Sequence, residues 1–397
     1  MKVVSTERVP IKLWLDDIED GALDQARNLA NLPFIFKHVA VMPDAHQGYG
    51  MPIGGVMATK GVIIPNAVGV DIGCGMCAVN LGEVELPVEK LKKIMGGIRQ
   101  AVPVGFKKHS KNQIGMPDGY IGGSDNLPVI HREYSNAQKS LGTLGGGNHF
   151  IEVQKDNATN HVWVMIHSGS RNLGLQVAKH YNKLAIEINE RYHSQVLKAW
   201  QLAFLPIDSE EGTFYRAEME HCIAFALANR DLMMKRVLAV VEDVTGVTTT
   251  NLPIINIAHN YATMEHHFGE NVMVHRKGAT KAYLGQLGII PGSQGSKSYI
   301  VRGRGHELSF KSCSHGAGRR MSRTAAIKGV DDDGKKLLDL EEQQELLNSM
   351  GVIHSVRGAK DLDEAPGAYK DIGKVMANQT ELVDIVVELS PLAVIKG

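Results

Sequence analysis

Short apolar runs rich in β-branched residues alternate along this chain with longer stretches of three- and four-residue periodicity. The short runs, bounded by Gly or Pro, predict strands at 38–43, 53–64, 76–81, 149–154, 161–167, 254–260, 271–277 and 299–302. Helical spacing predicts helices at 87–101, about 174–197, 212–244, 338–349 and 369–389. In the longest, 212–244, Ala, Leu, Met and charges recur so that one face belongs on a core and the other in water. Strands and helices interleave without a regular βαβ rhythm, which favours an α+β architecture over a doubly wound sheet. No fixed repeat, low-complexity linker or clean boundary divides the chain. The expectation is one compact mixed domain over 1–397, with central β-sheets flanked by helices.

Glycine sharpens this picture. There are 42 among 397 residues, above the usual share of about 7%. They cluster in polar turns at strand ends, at 48–55, 69–75, 142–148, 167–174, 292–296 and 314–318. Turns held by a rigid scaffold are where sites usually live.

Charge and cysteine narrow the class. Forty-three basic and 43 acidic residues cancel, so any polyanion must be held by a local patch rather than a global field. Four scattered cysteines (Cys74, Cys77, Cys222, Cys313) are too few for a disulfide framework. The stretch MKVVSTERVP lacks a charged-then-apolar signal pattern, and no apolar run reaches about 18 residues. A reducing, cytoplasmic setting without membrane contact is expected.

The turn Gly69-Val70-Asp71-Ile72-Gly73-Cys74-Gly75 sets a carboxylate three positions from a thiol, a donor pair suited to Mn, Zn or Fe. By itself the pattern also fits a structural turn with a buried Cys. The histidines shift the balance. His46, His149, His167, His259 and His315 each sit beside small, Gly or Asn neighbours, often where an apolar run ends. Asp71, Cys74, His149, His167 and His259 are five candidate ligands, more than a closed tetrahedral zinc site uses, which suggests two ions sharing one ligand. Paired cations are a standard device in phosphoryl chemistry.

Familiar nucleotide motifs are absent. There is no Gly-x4-Gly-Lys-Ser/Thr, and no Lys-x-Asp-Gly of the kind lysine-adenylylating ligases use. A covalently activated nucleotide would need another nucleophile, and histidine can serve. Lys107, Lys108 and Lys111 around His109 read as a solvated face. Arg302, Arg304, Lys311, Arg319, Arg320 and Arg323 gather near His315 in sequence, and arginine forks suit phosphates.

Nine segments, MPDAHQGYGMPIGG, GVDIGCG, LGTLGGGNHFIEV, HSGSR, AHNY, RKGA, PGSQG, SCSHGAGR and VIKG, together resemble the RtcB family of GTP-dependent RNA ligases, in that family's order. The resemblance implies joining of RNA 3′-phosphate or 2′,3′-cyclic phosphate ends to 5′-hydroxyl ends, with two Mn(II) ions and GTP. It implies that Asp71, Cys74, His149, His167 and His259 hold the Mn(II), with Cys74 between the ions. His315 would take GMP, and Asp44 would orient its ring. Asn148 would meet nucleotide phosphate, Glu152 and Lys396 the guanine edge, Tyr369 the base face, and Ser293 the same pocket. Arg171 and Arg319 would face phosphates of nucleotide or RNA. The chain departs from many members in reading Ala258-His259-Asn260, without a histidine before the ligand, and in its trimmed loops. Cys77 and Cys313 read as packing residues. A monomer is expected; the need for an accessory activator and the identity of the RNA stay open. The alternatives are a dinuclear metal phosphoesterase and a non-catalytic RNA-binding protein.

Overall fold

The computed structural model describes residues 1–117, 127–331 and 334–397. Two large sheets dominate it. The first has six strands in the order Lys2–Val4, Ile11–Leu13, Ile35–His46, Ile53–Thr59, Glu270–Lys277 and Asn260–His267. The second has seven, in the order Ile254–Ala258, Gly75–Gly82, Val162–Ser168, Phe150–Asp156, Val383–Lys396, Ser298–Gly303 and Leu287–Ile290. Within these two sheets all pairings are antiparallel except Ile11–Leu13 with Ile35–His46. The α+β expectation holds.

The helix Glu210–Thr245 braces both the second sheet and a helical layer. Ser209 opens it by accepting the Gly212 N–H at 3.0 Å, with Glu210 and Glu211 in the first turn where the helix dipole favours anions. Gly246, at φ 76°, closes it in a left-handed conformation. Its first half packs Tyr215, Met219, Cys222 and Phe225 against Leu173, Val177, Tyr181 and Ala185 of the helix Arg171–Arg191. Its second half packs Met233, Met234, Val237 and Val241 on Val79, Val164 and Ile166 of the second sheet and on Leu91, Ile94 and Ile98 of the helix Val88–Ala101.

Three expectations need correction. The run 254–260 is not one strand: Ile254–Ala258 is an edge of the second sheet, Asn260–His267 is an edge of the first, and the chain changes sheets at His259. The run 53–64 breaks at Gly61, φ 70°, into Ile53–Thr59 and Val62–Ile63. The helix expected at 369–389 is only a short one, and the last third of that span is strand. Asp371 caps a short helix, Ile372–Ala377, and the chain then turns into Val383–Lys396. That strand is rich in Val and Ile, and Pro391, which a helix interior excludes, sits at a register irregularity. The helices Asp20–Ala30 and Pro128–Ser140 are additional to those expected. Among the described residues, no helix is long and apolar enough to cross a membrane.

Candidate active site

The glycine turn at 69–75 is shaped by what lies against it. Gly69 and Gly73 have φ of 95° and 74°, which glycine adopts at low cost. A Cβ on Gly73 would lie 2.9 Å from Ile223 Cα of the long helix, and one on Gly75 would lie 1.9 Å from the Ile257 carbonyl oxygen. Two polar side chains buried inside the long helix complete the arrangement. Arg230 donates to the carbonyls of Gly73 (3.0 Å) and Ser168 (2.8 Å) and to Asn256 Oδ1 (2.8 Å). Asn229 accepts the N–H of Gly142 (2.7 Å) and Thr143 (3.2 Å) and donates to Gly169 O (3.2 Å). One helical turn thus fixes three glycine loops relative to one another.

The ligand candidates converge on this turn. His259, at the change of sheets, donates its backbone N–H to Cys74 O at 2.8 Å, and Asn260 donates through its side chain to Asp71 O at 3.1 Å. His167 stands in strand Val162–Ser168 between Met76 and Phe150 of the neighbouring strands. Its Nε2 is 3.3 Å from Cys74 Sγ and 3.4 Å from His259 Nε2. His149 Nε2 is 3.5 Å from Cys74 Sγ and 3.1 Å from Asp71 Oδ2.

The His167 tautomer follows from the far side of its ring. Nδ1 of His167 lies 3.0 Å from Asn148 O and so carries the proton, which leaves its Nε2 presenting a lone pair inward; the His149 ring sits between Leu144 O at Nδ1 (3.1 Å) and Asp71 Oδ2 at Nε2 (3.1 Å). One thiol proton cannot satisfy several inward lone pairs, whereas a cation can. The cluster divides into Asp71–Cys74–His149 and Cys74–His167–His259, each with ligand atoms within 4.8 Å of one another and with Cys74 in both. This donor set fits a pair of transition-metal ions. Burial, with the Asp71 charge, pushes the Cys74 thiol well above its ordinary range, so a bound cation must expel that proton.

His315 follows the short strand Ser312–Ser314, next to this cluster: its ring centroid is 4.8 Å from that of His259, edge to face. Its Nδ1 is 2.6 Å from Asp44 Oδ2, and the same oxygen accepts the backbone N–H of His315 (3.0 Å) and Gly316 (3.2 Å). Asp44 comes from strand Ile35–His46 and is fully buried. Burial pushes its carboxyl up, but the charge and hydrogen bonds of His315 outweigh that and hold it below the usual carboxylate range. The ring is therefore anchored through Nδ1. Space beside it is kept by Gly278, φ 60°, where a Cβ would lie 2.4 Å from Ile53 Cγ2 and 3.1 Å from His315 Cε1.

A cavity of about 740 Å³ opens over His315. Its wall includes Asp71, Cys74, Asn148, Glu152, His167, His259, Ser293, Arg319, Tyr369 and Lys396. Asp44, His149 and Arg171 lie just behind the wall; Arg171 Nη1 is 3.3 Å from His149 Nδ1. The residues that the resemblance assigns to metal, nucleotide or catalysis therefore gather at one place. Of the sequence-adjacent cations, Arg319 and Arg323 line the cavity, whereas Arg304 turns away to Thr380 O. Cys77 and Cys313 are buried in apolar clusters, as packing residues should be.

Sequence reasoning missed Glu364. Its carboxylate takes Lys396 Nζ (2.5 Å), Arg319 Nη2 (2.5 Å) and Tyr369 Oη (2.6 Å), while the Arg319 guanidinium lies over the Tyr369 ring at 5.0 Å. Burial pushes Glu364 up, but Lys396 and Arg319 prevail and hold it low. Glu152 is held differently: Gln154 donates to it, its Oε1 has no hydrogen-bond partner among the described residues, and burial pushes its carboxyl up to about 8. Lys277 was missed too. It lines the cavity, donates to the carbonyls of Tyr49 (2.6 Å) and Asn66 (3.0 Å), and is lowered to about 7 by burial. Only the basic residue in RKGA hinted at it; nothing near Glu364, Asn229 or Arg230 did.

Known proteins share the whole frame. A family model described as tRNA-splicing ligase RtcB matches residues 25–397. RNA-splicing ligase RtcB of Escherichia coli K12 is 41% identical, over 100% of this chain and 99% of that protein. The tRNA-splicing ligases RtcB of Nanoarchaeum equitans and Thermococcus kodakarensis are 34% and 32% identical, each over 98% of this chain and 95% of the relative. The residues that converge around Cys74 and His315 thus lie in a chain that matches these proteins from end to end, and it belongs to the RtcB family.

Proposed function

We propose that this chain is an RNA ligase that joins 3′-phosphate or 2′,3′-cyclic phosphate ends to 5′-hydroxyl ends through a GMP-histidine intermediate. The observation that carries the reading is the 2.6 Å contact between His315 Nδ1 and the buried Asp44 carboxylate. An imidazole tied through Nδ1 to a carboxylate presents an unprotonated Nε2, and Asp44 stabilises the charge the ring gains once Nε2 is substituted.

The chemistry then runs in three displacements. His315 Nε2 bonds to the α-phosphorus of GTP as the bond to the β-phosphate oxygen breaks, releasing pyrophosphate. An oxygen of the RNA 3′-phosphate next attacks that phosphorus, breaking the P–N bond and returning His315 to its neutral form. The RNA end now carries a diphosphate linked to guanosine. The 5′-hydroxyl oxygen attacks the RNA 3′-phosphorus, its proton passes to water, and GMP leaves. A cyclic phosphate is first opened by water to a 3′-phosphate. Asp71, Cys74, His149, His167 and His259 would hold two Mn(II), with Cys74 shared. Such ions, when bound, neutralise negative charge on phosphate oxygens.

Asn148 and Arg171 are assigned to phosphates, as is Arg319 once Glu364 releases it. Tyr369 offers its face to guanine, with Glu152, Lys396 and Ser293 at the base edge. The cavity draws its wall from Glu19 to Lys396, which supports one catalytic unit over 1–397. Four free, buried cysteines suit a cytoplasmic setting, and we assign the working form as a monomer.

The test is incubation of the metallated protein with Mn(II) and labelled GTP. An acid-labile, base-stable protein–GMP adduct is expected, absent in His315→Ala. Failure of the wild type to form it, or its survival in His315→Ala, overturns the reading. Phosphoester hydrolysis without an adduct would instead mark a phosphoesterase.

A further inference from the structure

The stretch 102–113, after the helix Val88–Ala101, carries Phe106, which is 104% exposed, the most exposed large hydrophobic residue among those described. On a loose loop such exposure would mean little, but the backbone here is well anchored. The Gly105 N–H donates to Gly145 O (2.8 Å), His109 N–H to Lys139 O (3.0 Å) and Gln113 N–H to Gln138 O (3.2 Å). Arg236 of the long helix donates to His109 Nε2 (2.8 Å) and Gln113 Oε1 (2.5 Å). A fixed backbone thus holds an aromatic ring in water, where its apolar faces gain nothing from the fold.

The surroundings of the ring are cationic. Lys107, Lys108 and Lys111 are exposed on the same segment. Lys108 Nζ reaches a neutral group, Asn136 Oδ1, at 3.4 Å and so keeps its charge uncompensated there. The anchoring carbonyl, Gly145, belongs to the loop that delivers Asn148 and His149 to the cavity. Guanidinium groups sit against that loop as well, for a Cβ on Gly145 would lie 1.9 Å from Arg171 Nη2 and one on Gly147 would lie 2.6 Å from Arg323 Nη1. The stretch that carries the three lysines thus abuts, through Gly105, the loop against which Arg171 and Arg323 lie.

We propose that Phe106, with Lys107, Lys108 and Lys111, is a docking platform for single-stranded RNA next to the end being joined. The ring stacks on one base, and the lysines meet the phosphates on either side. An aromatic face amid cations is the chemistry of sequence-tolerant single-strand binding. The proposal deepens the ligase reading and rests on it.

Fluorescence anisotropy with a labelled single-stranded RNA bearing a 3′-phosphate, over a series of salt concentrations, tests it in the full-length protein. Phe106→Ala is expected to weaken binding roughly tenfold without changing the slope of log affinity against log salt, and Phe106→Trp to restore it. Lys107→Gln/Lys108→Gln/Lys111→Gln is expected to lower that slope by about 0.7 for each phosphate no longer neutralised. All three variants should form the His315–GMP adduct at the wild-type rate, since that step needs no RNA. Wild-type RNA affinity in Phe106→Ala together with an unchanged slope in the lysine variant overturns the platform, and would leave the surface to a protein partner. Loss of the wild-type adduct would overturn the ligase reading, whatever the platform does.

Discussion

The two halves of the cavity satisfy their polar groups in opposite ways. Around Glu364, cations and anions are already paired: one carboxylate holds Lys396, Arg319 and Tyr369. Around Cys74, proton donors are scarce, and imidazole nitrogens and a thiol face one another at 3.3–3.5 Å. The Glu364 cluster satisfies its own charges, so a ligand there would have to open it. The Cys74 cluster offers a donor set that a cation could complete. A buried pair resists loss of either partner because the survivor keeps an uncompensated charge, whereas a set of facing lone pairs loses little when one of them is trimmed.

The largest expected effect breaks the Cys74 side. Cys74→Ala should take bound Mn(II) from two ions per chain to none and abolish GMP transfer, while barely moving the melting temperature of the metal-free protein. Metal analysis beside calorimetry checks both; retention of one ion would refute a shared thiolate. The reverse pattern is expected of Glu364→Gln. Removing that charge leaves the part-buried Lys396 and Arg319 facing each other without their shared acceptor, at a cost of about 1–3 kcal/mol in the ligand-free protein. GTP should recover much of the loss, because its phosphates supply the missing negative charge. If melting with and without GTP shows no such recovery, Glu364 is a structural tie rather than a latch.

A smaller effect sharpens the contrast within the nucleotide side. Glu152 has a raised folded-state pKa of about 8, so between an ordinary carboxylate value and about 8 the folded chain binds more protons than the unfolded one. The ligand-free protein should then lose stability as pH rises through that window, by up to about 1.4 kcal/mol per unit from this group. Glu152→Gln should flatten the dependence. Melting curves from pH 5 to 8 read it directly, and an unchanged slope would show that Glu152 titrates normally.

The donors around Cys74 were legible in the sequence because each sits in a short glycine- or asparagine-marked turn, and turn chemistry is local. His315 and Asp44 were legible through the family's own motifs. Glu364, Asn229 and Arg230 were not, since their roles come from side chains that meet across long stretches of chain. The misreading of 369–389 has a related cause. Asp, Glu, Val and Ile alternate there at spacings that suit either period, and only pairing with Phe150–Asp156 and Ser298–Gly303 decides for strand. The mainly apolar run 254–258 likewise gives no sign of the change of sheet that follows at His259, because composition does not record which sheet a residue joins.

The late position of His259 in the chain would make ion uptake a late event in its life. His167 and Cys74 belong to one sheet and its turn, and His259 joins them through Ile254–Ala258, an edge strand of that same sheet, 92 residues after His167 in the chain. A chain still emerging from synthesis, with residues 1–200 folded, would lack a full set of donors and could hold an ion only weakly. Metal content would then report whether folding had finished.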